Sequence, residues 1–162
     1  MTKSPKTPPE AAGFEMTMTR TFAAPRELVF RAWTDPALLA KWWGPTGFSV
    51  TMKRWIPRQG GTILLDMNAP YGAVYPMGGK FVEVKPPEKI VFESAALDPQ
   101  GKAIFEILNS VALADLGGKT RLTLHARVLR MRPEARQFLK GQKAGWSQSL
   151  DRLEALVIAM SS

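Results

Sequence analysis

The sequence predicts an α+β fold in which a curved antiparallel sheet wraps a long C-terminal helix and leaves an apolar interior. Three features carry this. One alternating stretch, Phe14 to Phe22, is followed by two short helical segments that end at Thr34-Asp35-Pro36 and at Trp42-Trp43-Gly44-Pro45. Six further strand-like stretches follow, with turn signals between them. The chain then closes on one amphipathic helical pattern from Pro133 to about Met160. Consecutive strands with short connections form antiparallel meanders.

The elements follow in order. Residues 1–13 hold three Pro and no periodic pattern, so they are expected to be a disordered tail ahead of a single domain over 14–160. In the first strand Phe14, Met16, Met18 and Phe22 share a face that Arg20 interrupts. Pro25 suits the start of a helix carrying Leu28, Val29, Ala32 and Trp33 inward, and Asp35-Pro36 stops it. A second helix over about 36–43 offers Leu38, Leu39, Trp42 and Trp43. Strands then run over Phe48–Trp55, Thr62–Met67, Val74–Val84, Ile90–Ala95, Ala103–Ala114 and Lys119–Val128. The final helix shows Leu139, Gln142, Trp146, Leu150, Leu153, Val157 and Met160 on one face. Some 28 residues make it roughly 40 Å long. Gly141 and Gly145 inside it cost roughly 1 kcal/mol each relative to Ala, which suggests close approach of a loop or room for a cavity mouth.

Composition excludes several classes. At 162 residues the chain is long enough for a real core. It has no Cys, which removes disulfides, thiol chemistry and thiolate metal sites. No stretch is apolar enough to span a membrane and the N-terminus has no secretory pattern, so the expected location is cytoplasmic. The formal charge is +8, and six basic residues against one acid lie between Arg127 and Lys143. That segment reads as a solvated face or as an anion-attracting rim beside a pocket. Only one aromatic residue, Phe138, lies among these charges, too few for a stacking surface, so specific nucleic-acid binding is not expected.

Nine short motifs occur in one order: Thr19-Arg20, Ala24-Pro25, Val29 to Pro36, Trp42-Trp43-Gly44-Pro45, Arg58-Gln59-Gly60-Gly61, Gly79 to Val84, Pro86-Pro87 to Phe92, Gly118 to Thr123 and Gly145-Trp146. In these the chain resembles, over about residues 14–158, the START-like (SRPBCC, birch-pollen-allergen-type) superfamily. The branch is the one named for the activator of a heat-shock chaperone's ATPase, which also includes enediyne-resistance proteins. The resemblance implies a helix-grip fold, β-α-α-β6-α, with a cavity between sheet and long helix. Members bind hydrophobic small molecules, act on polyketides or contact a chaperone. One departure is visible: Ile56 stands where the family usually has Asp, two residues before the Arg of the Arg-x-Gly-Gly turn. The family thus predicts fold more sharply than activity.

The residues offer little classical catalytic chemistry. The one His, His125, shares strand parity with Arg121 and Arg127 and so points to solvent. One His and no Cys leave no metal-ligand spacing, and no cofactor motif is present. Asp66 and Glu106 fall on outward parities. The expected ligand-binding wall is Trp42, Phe48, Met52, Met67, Tyr75, Met77, Phe105, Asn109, Trp146 and Leu150, with Phe81 and Phe92 as further apolar candidates. Eight Met in the chain give a soft, adaptable surface. Trp42 and Trp146 stand out because the family places a Trp pair and a Gly-Trp step near the cavity mouth. Arg20 is either a structural ion pair or an anion anchor at one end of the cavity. Asn109 bonds a buried backbone group or a ligand, and Gln142 is a similar candidate.

The expected function is binding of a hydrophobic or amphipathic small molecule, including one with an acidic group. The alternatives are a cavity enzyme of cyclase or hydrolase type, drawing on Tyr75, Arg20 or Glu83, and a chaperone-regulating interaction module. Monomer and homodimer both fit.

Overall fold

The computed structural model describes residues 15–161; the expected tail over 1–13 and Phe14 lie outside the described residues. Strand β1 (Glu15–Phe22) leads into helices α1 (Arg26–Thr34) and α2 (Pro36–Trp42). Then come β2 (Ser49–Trp55), β3 (Thr62–Asn68), β4 (Val74–Lys85), β5 (Lys89–Leu97), β6 (Ala103–Asp115) and β7 (Thr120–Met131). A 3-10 turn (Pro133–Ala135), a short α3 (Arg136–Lys140) and α4 (Gln142–Ser161) close the chain.

The seven strands form one sheet in the order β1-β7-β6-β5-β4-β3-β2, with every neighbouring pair antiparallel. The meander runs from β2 to β7, and β1 joins it from Glu15 opposite Arg127 to Phe22 opposite Thr120. Alternation sets the two faces. On β7, Leu122, Leu124, Ala126 and Val128 are buried while Arg121 and Arg127 are exposed. Strand β2 is an outer strand; its register with β3 shifts between Met52 and Arg54, and both Lys53 and Arg54 are exposed.

The two short helices are held by their ends. A helix leaves its last carbonyls without intrahelical partners. In α1 the Arg31 carbonyl accepts from the Asp35 N–H, that of Ala32 from the Trp42 indole at 2.9 Å, and that of Trp33 from the Trp55 indole at 2.8 Å. Asp35 then caps α2, its carboxylate accepting from the Ala37 N–H at 2.9 Å with Pro36 beside it.

All five tryptophans of the chain join one cluster. Trp33 meets Trp42 edge-on at 4.7 Å between ring centroids, and Trp43 meets both Trp55 and Trp146. Phe81 and Phe92 belong to the same cluster, as core and not as pocket wall. Such edge-to-face pairs add about 0.5–1.5 kcal/mol each beyond area burial.

The expected final helix of some 28 residues is a correction. The chain breaks it at Gly141, after the 3-10 turn and α3, and α4 is 20 residues long. Glycine is the poorest ordinary helix former, and here it sits where the segment bends before resuming. The ladder restarts at once, with the Gly145 N–H donating to the Gly141 carbonyl at 2.8 Å.

A neutral aromatic pocket as the candidate functional site

A pocket of about 420 Å³ lies between the sheet and the first turns of α4. Met77 of β4, Ser94 and Ala96 of β5, and Phe105 and Ile107 of β6 form its floor. Gly141, Gln142, Gly145, Trp146 and Ser149 form the helix side. Trp43, Gly44, Pro45 and Phe48, with Met67, Tyr71 and Tyr75, complete the wall. Tyr71 and Gly141 are exposed and mark the mouth.

Local structure explains the wall. Gly44 has φ +101°, a conformation L side chains rarely adopt, and it turns the chain immediately after Trp43. Gly145 of α4 packs against this segment at ordinary distance: a Cβ there would be 3.7 Å from the Pro45 ring. Arg152, about two turns further along α4, reaches back over the same segment. Its guanidinium donates to the carbonyls of Gly44 (2.9 Å), Pro45 (3.1 Å) and Lys41 (3.2 Å), with Trp43 at 3.3 Å. A cation on carbonyls at a helix C-terminus is favourably placed. Burial lowers the Arg152 pKa from its ordinary value. Sequence reasoning did not single out Arg152; an Arg three residues past Ser149 on a helix carries no local signal of where it reaches.

The polar atoms on the wall are neutral. The Tyr71 and Tyr75 hydroxyls are 2.8 Å apart. That hydrogen bond raises the Tyr71 pKa above its ordinary value, so its phenol stays protonated at neutral pH. Ser94 receives a bond from Asn109 at 3.0 Å. None of the described lining residues is Asp, Glu, Lys, Arg or His. The wall can stack aromatic rings and exchange hydrogen bonds; its titratable groups are the two phenols. Among the described residues no group of three or more His, Asp or Glu converges for a metal.

Of the expected residues, the structure brings Phe48, Met67, Tyr75, Met77, Phe105 and Trp146 to the pocket. It does not bring Trp42, Met52, Asn109 or Leu150 there. Trp42 is fully buried, its indole engaged with Ala32, and Trp43 takes the wall position. The reason is local: α2 ends at Trp42, and Trp43 at the C-cap is extended (φ −67°, ψ 132°), so helical period does not set its direction. Met52 packs on the core beside the β2 irregularity, and Leu150 is fully buried one turn beyond Trp146. Asn109 lies beneath Ser94 and also reaches the Phe92 carbonyl. Arg20 binds Asp151 at 2.7 Å and Glu154 at 3.6 Å, the structural ion pair of the two readings. Gln142 is on the wall; Trp43, Tyr71, Ser94 and Ser149 are there without having been expected.

The outward residues carry ion pairs on the surface. His125 bonds Glu15, Asp66 pairs with Lys53, Glu106 with Arg130 and Glu83 with Lys89. In the basic segment Arg132 pairs with Asp98 and Glu134, while exposed Lys140 and Lys143 flank the mouth at Gly141 and Gln142.

A seven-stranded antiparallel sheet, two short helices after its first strand and a long C-terminal helix across it define a helix-grip protein of the START-like class. The chain belongs to the family described as activator of Hsp90 ATPase homolog 1-like protein, whose model matches residues 23–157. Solved structures agree. A protein from Chromobacterium violaceum is 29% identical with a TM-score of 0.73, over 88% of this chain and 96% of that one. The AHSA1 protein from Silicibacter pomeroyi is 25% identical with a TM-score of 0.78, over 91% and 99%. A protein from Arthrobacter aurescens, at 20% identity and a TM-score of 0.83 over 98% and 93%, shares the fold. Among curated proteins, none matches the chain. No described helix is long and apolar enough to cross a membrane.

Proposed function

We propose that the chain binds an apolar or amphipathic small molecule in the pocket between the sheet and α4. The observation that carries this is the pocket itself: about 420 Å³, walled by Trp43, Phe48, Phe105 and Trp146 with two methionines, and holding a few fixed polar groups. Small-molecule sites are mostly apolar spaces of about 300–1,000 Å³ with a small number of placed polar atoms. Met67 and Met77 add polarizable, adaptable surface.

Native mass spectrometry of freshly purified protein, set against its denatured mass, tests this. A defined extra mass that Trp146→Glu removes from a folded protein supports the reading. A retained ligand that ignores Trp146→Glu puts the site elsewhere.

The family match over residues 23–157 favours a second reading, contact with a heat-shock chaperone. Stimulation of a purified Hsp90-type ATPase by the chain supports it; an unchanged ATPase rate with no co-sedimentation counts against it.

A further inference from the structure

We infer that this pocket selects an uncharged ligand bearing a hydrogen-bond acceptor, such as a ketone or ester carbonyl, and that the Ser94 hydroxyl donates to it. The inference rests on the small-molecule reading above.

The first observation is the absence of charge. Lys, Arg, Asp and Glu make up 22% of the chain, yet none of them is on the described wall. Lys140 and Lys143 stay outside the wall, exposed beside the mouth, while Arg152 is committed to backbone carbonyls and Arg20 to Asp151 and Glu154. A carboxylate drawn past the mouth onto the floor would lose water and meet no counter-charge on the wall. This replaces the expectation of an acidic group on the ligand, and with it that of Arg20 as an anion anchor at one end of the cavity.

The second observation fixes a proton. Asn109 is 1% exposed, and its amide nitrogen lies 3.3 Å from the Phe92 carbonyl and 3.4 Å from that of Ile107. Carbonyl oxygens only accept, so this end of the amide is the NH₂ group and cannot be flipped to oxygen. The same nitrogen is 3.0 Å from Ser94 Oγ, which must therefore accept. A serine hydroxyl has one proton, and its acceptor role here leaves that proton to be donated. Ser94 faces the pocket from β5. Asn109 is thus a positioning residue, and Ser94 is a donor aimed by the sheet beneath it.

Tryptophan-fluorescence titrations with three probes of one shape test this: acetylnaphthalene, ethylnaphthalene and naphthoate at neutral pH. Acetylnaphthalene is expected to bind about fivefold or more tightly than ethylnaphthalene, the size of one neutral hydrogen bond. Naphthoate is expected to be weakest. Ser94→Ala should erase the ketone's advantage while ethylnaphthalene binds as before. Naphthoate binding as tightly as the ketone, or a ketone advantage that survives Ser94→Ala in a folded variant, overturns the inference and leaves the small-molecule reading standing. Binding of none of the probes overturns both.

Discussion

Arg152 of α4 donates to the Gly44 carbonyl at 2.9 Å, across 108 residues of sequence. With its contacts to Lys41 and Pro45, this one side chain ties the long helix to the loop that carries Trp43 into the pocket. Its forked donors reach several carbonyls at once, which a lysine cannot reproduce.

Arg152→Lys and Arg152→Ala are both expected to destabilise the protein, the latter by about 1–3 kcal/mol, because carbonyls at the end of α2 lose their donor. Urea unfolding measures this. A wild-type midpoint for Arg152→Ala contradicts the role.

The indoles differ in what they hold. Trp42 and Trp55 each donate to an α1 carbonyl, whereas the buried Trp33 N–H has no hydrogen-bond partner among the described residues. Trp42→Phe and Trp55→Phe should therefore each cost about 1–3 kcal/mol more than their lost packing alone. Trp33→Phe should cost less than either, since it removes an unsatisfied donor. Equal losses for the three variants would refute the assignment.

The chain has two tyrosines, so alkaline absorbance titration reads both. The hydrogen bond to Tyr75 raises the Tyr71 pKa. A raised folded value means the stabilisation is complete below the ordinary tyrosine value of about 10 and is lost as pH climbs through the higher folded one. Tyr75→Phe should bring the Tyr71 titration back toward that ordinary value; an unmoved curve contradicts the pair.

Asp98 behaves oppositely. Its carboxyl is held below the usual range first by the Lys102 N–H and then by Arg132, with Gln100 adding a bond. A lowered folded pKa stabilises above the ordinary carboxylate value of about 3.9 and ceases to do so as pH falls through the lower folded one. Asp98→Asn should thus be less stable than wild type at neutral pH, and the gap in urea midpoints should close in strong acid. A gap independent of pH sinks this.

The glycines separate cleanly. At Gly145 an added methyl would meet only the Pro45 ring, at ordinary contact distance, so Gly145→Ala should stabilise by up to about 1 kcal/mol. At Gly79 a Cβ would fall 1.9 Å from the Glu93 carbonyl oxygen on the adjacent strand. Gly79→Ala should cost about 3 kcal/mol, since backbone must move. Thermal melts of the two variants should shift in opposite directions.

Period and punctuation made the fold legible. Strict alternation placed Leu122, Leu124, Ala126 and Val128 inward, and Asp35-Pro36 located the junction of the two short helices. The site was half legible. Strand parity brought Met77 and Phe105 to the pocket because pleating fixes direction over several residues. It failed where regular structure ends: at Trp43, just past a helix, and at Tyr71, in the β3–β4 turn. Parity also says which face Asn109 shares without saying that its amide turns to the Phe92 carbonyl and the Ser94 hydroxyl of β5. Contacts such as Arg152 with Gly44 depend on two elements meeting, which no local pattern records.

The exposed outer strand β2 has a consequence for crowded solution. An unpaired strand offers its backbone to any passing chain, and runaway stacking begins at such rims. Here the rim carries Lys53 and Arg54 side by side, at an irregularity that skews the backbone. A second copy aligning on β2 would have to bring its own two cations against these and match a skewed ladder. The open side of the sheet is therefore a poor template for fibril growth, a protection independent of whatever the pocket holds.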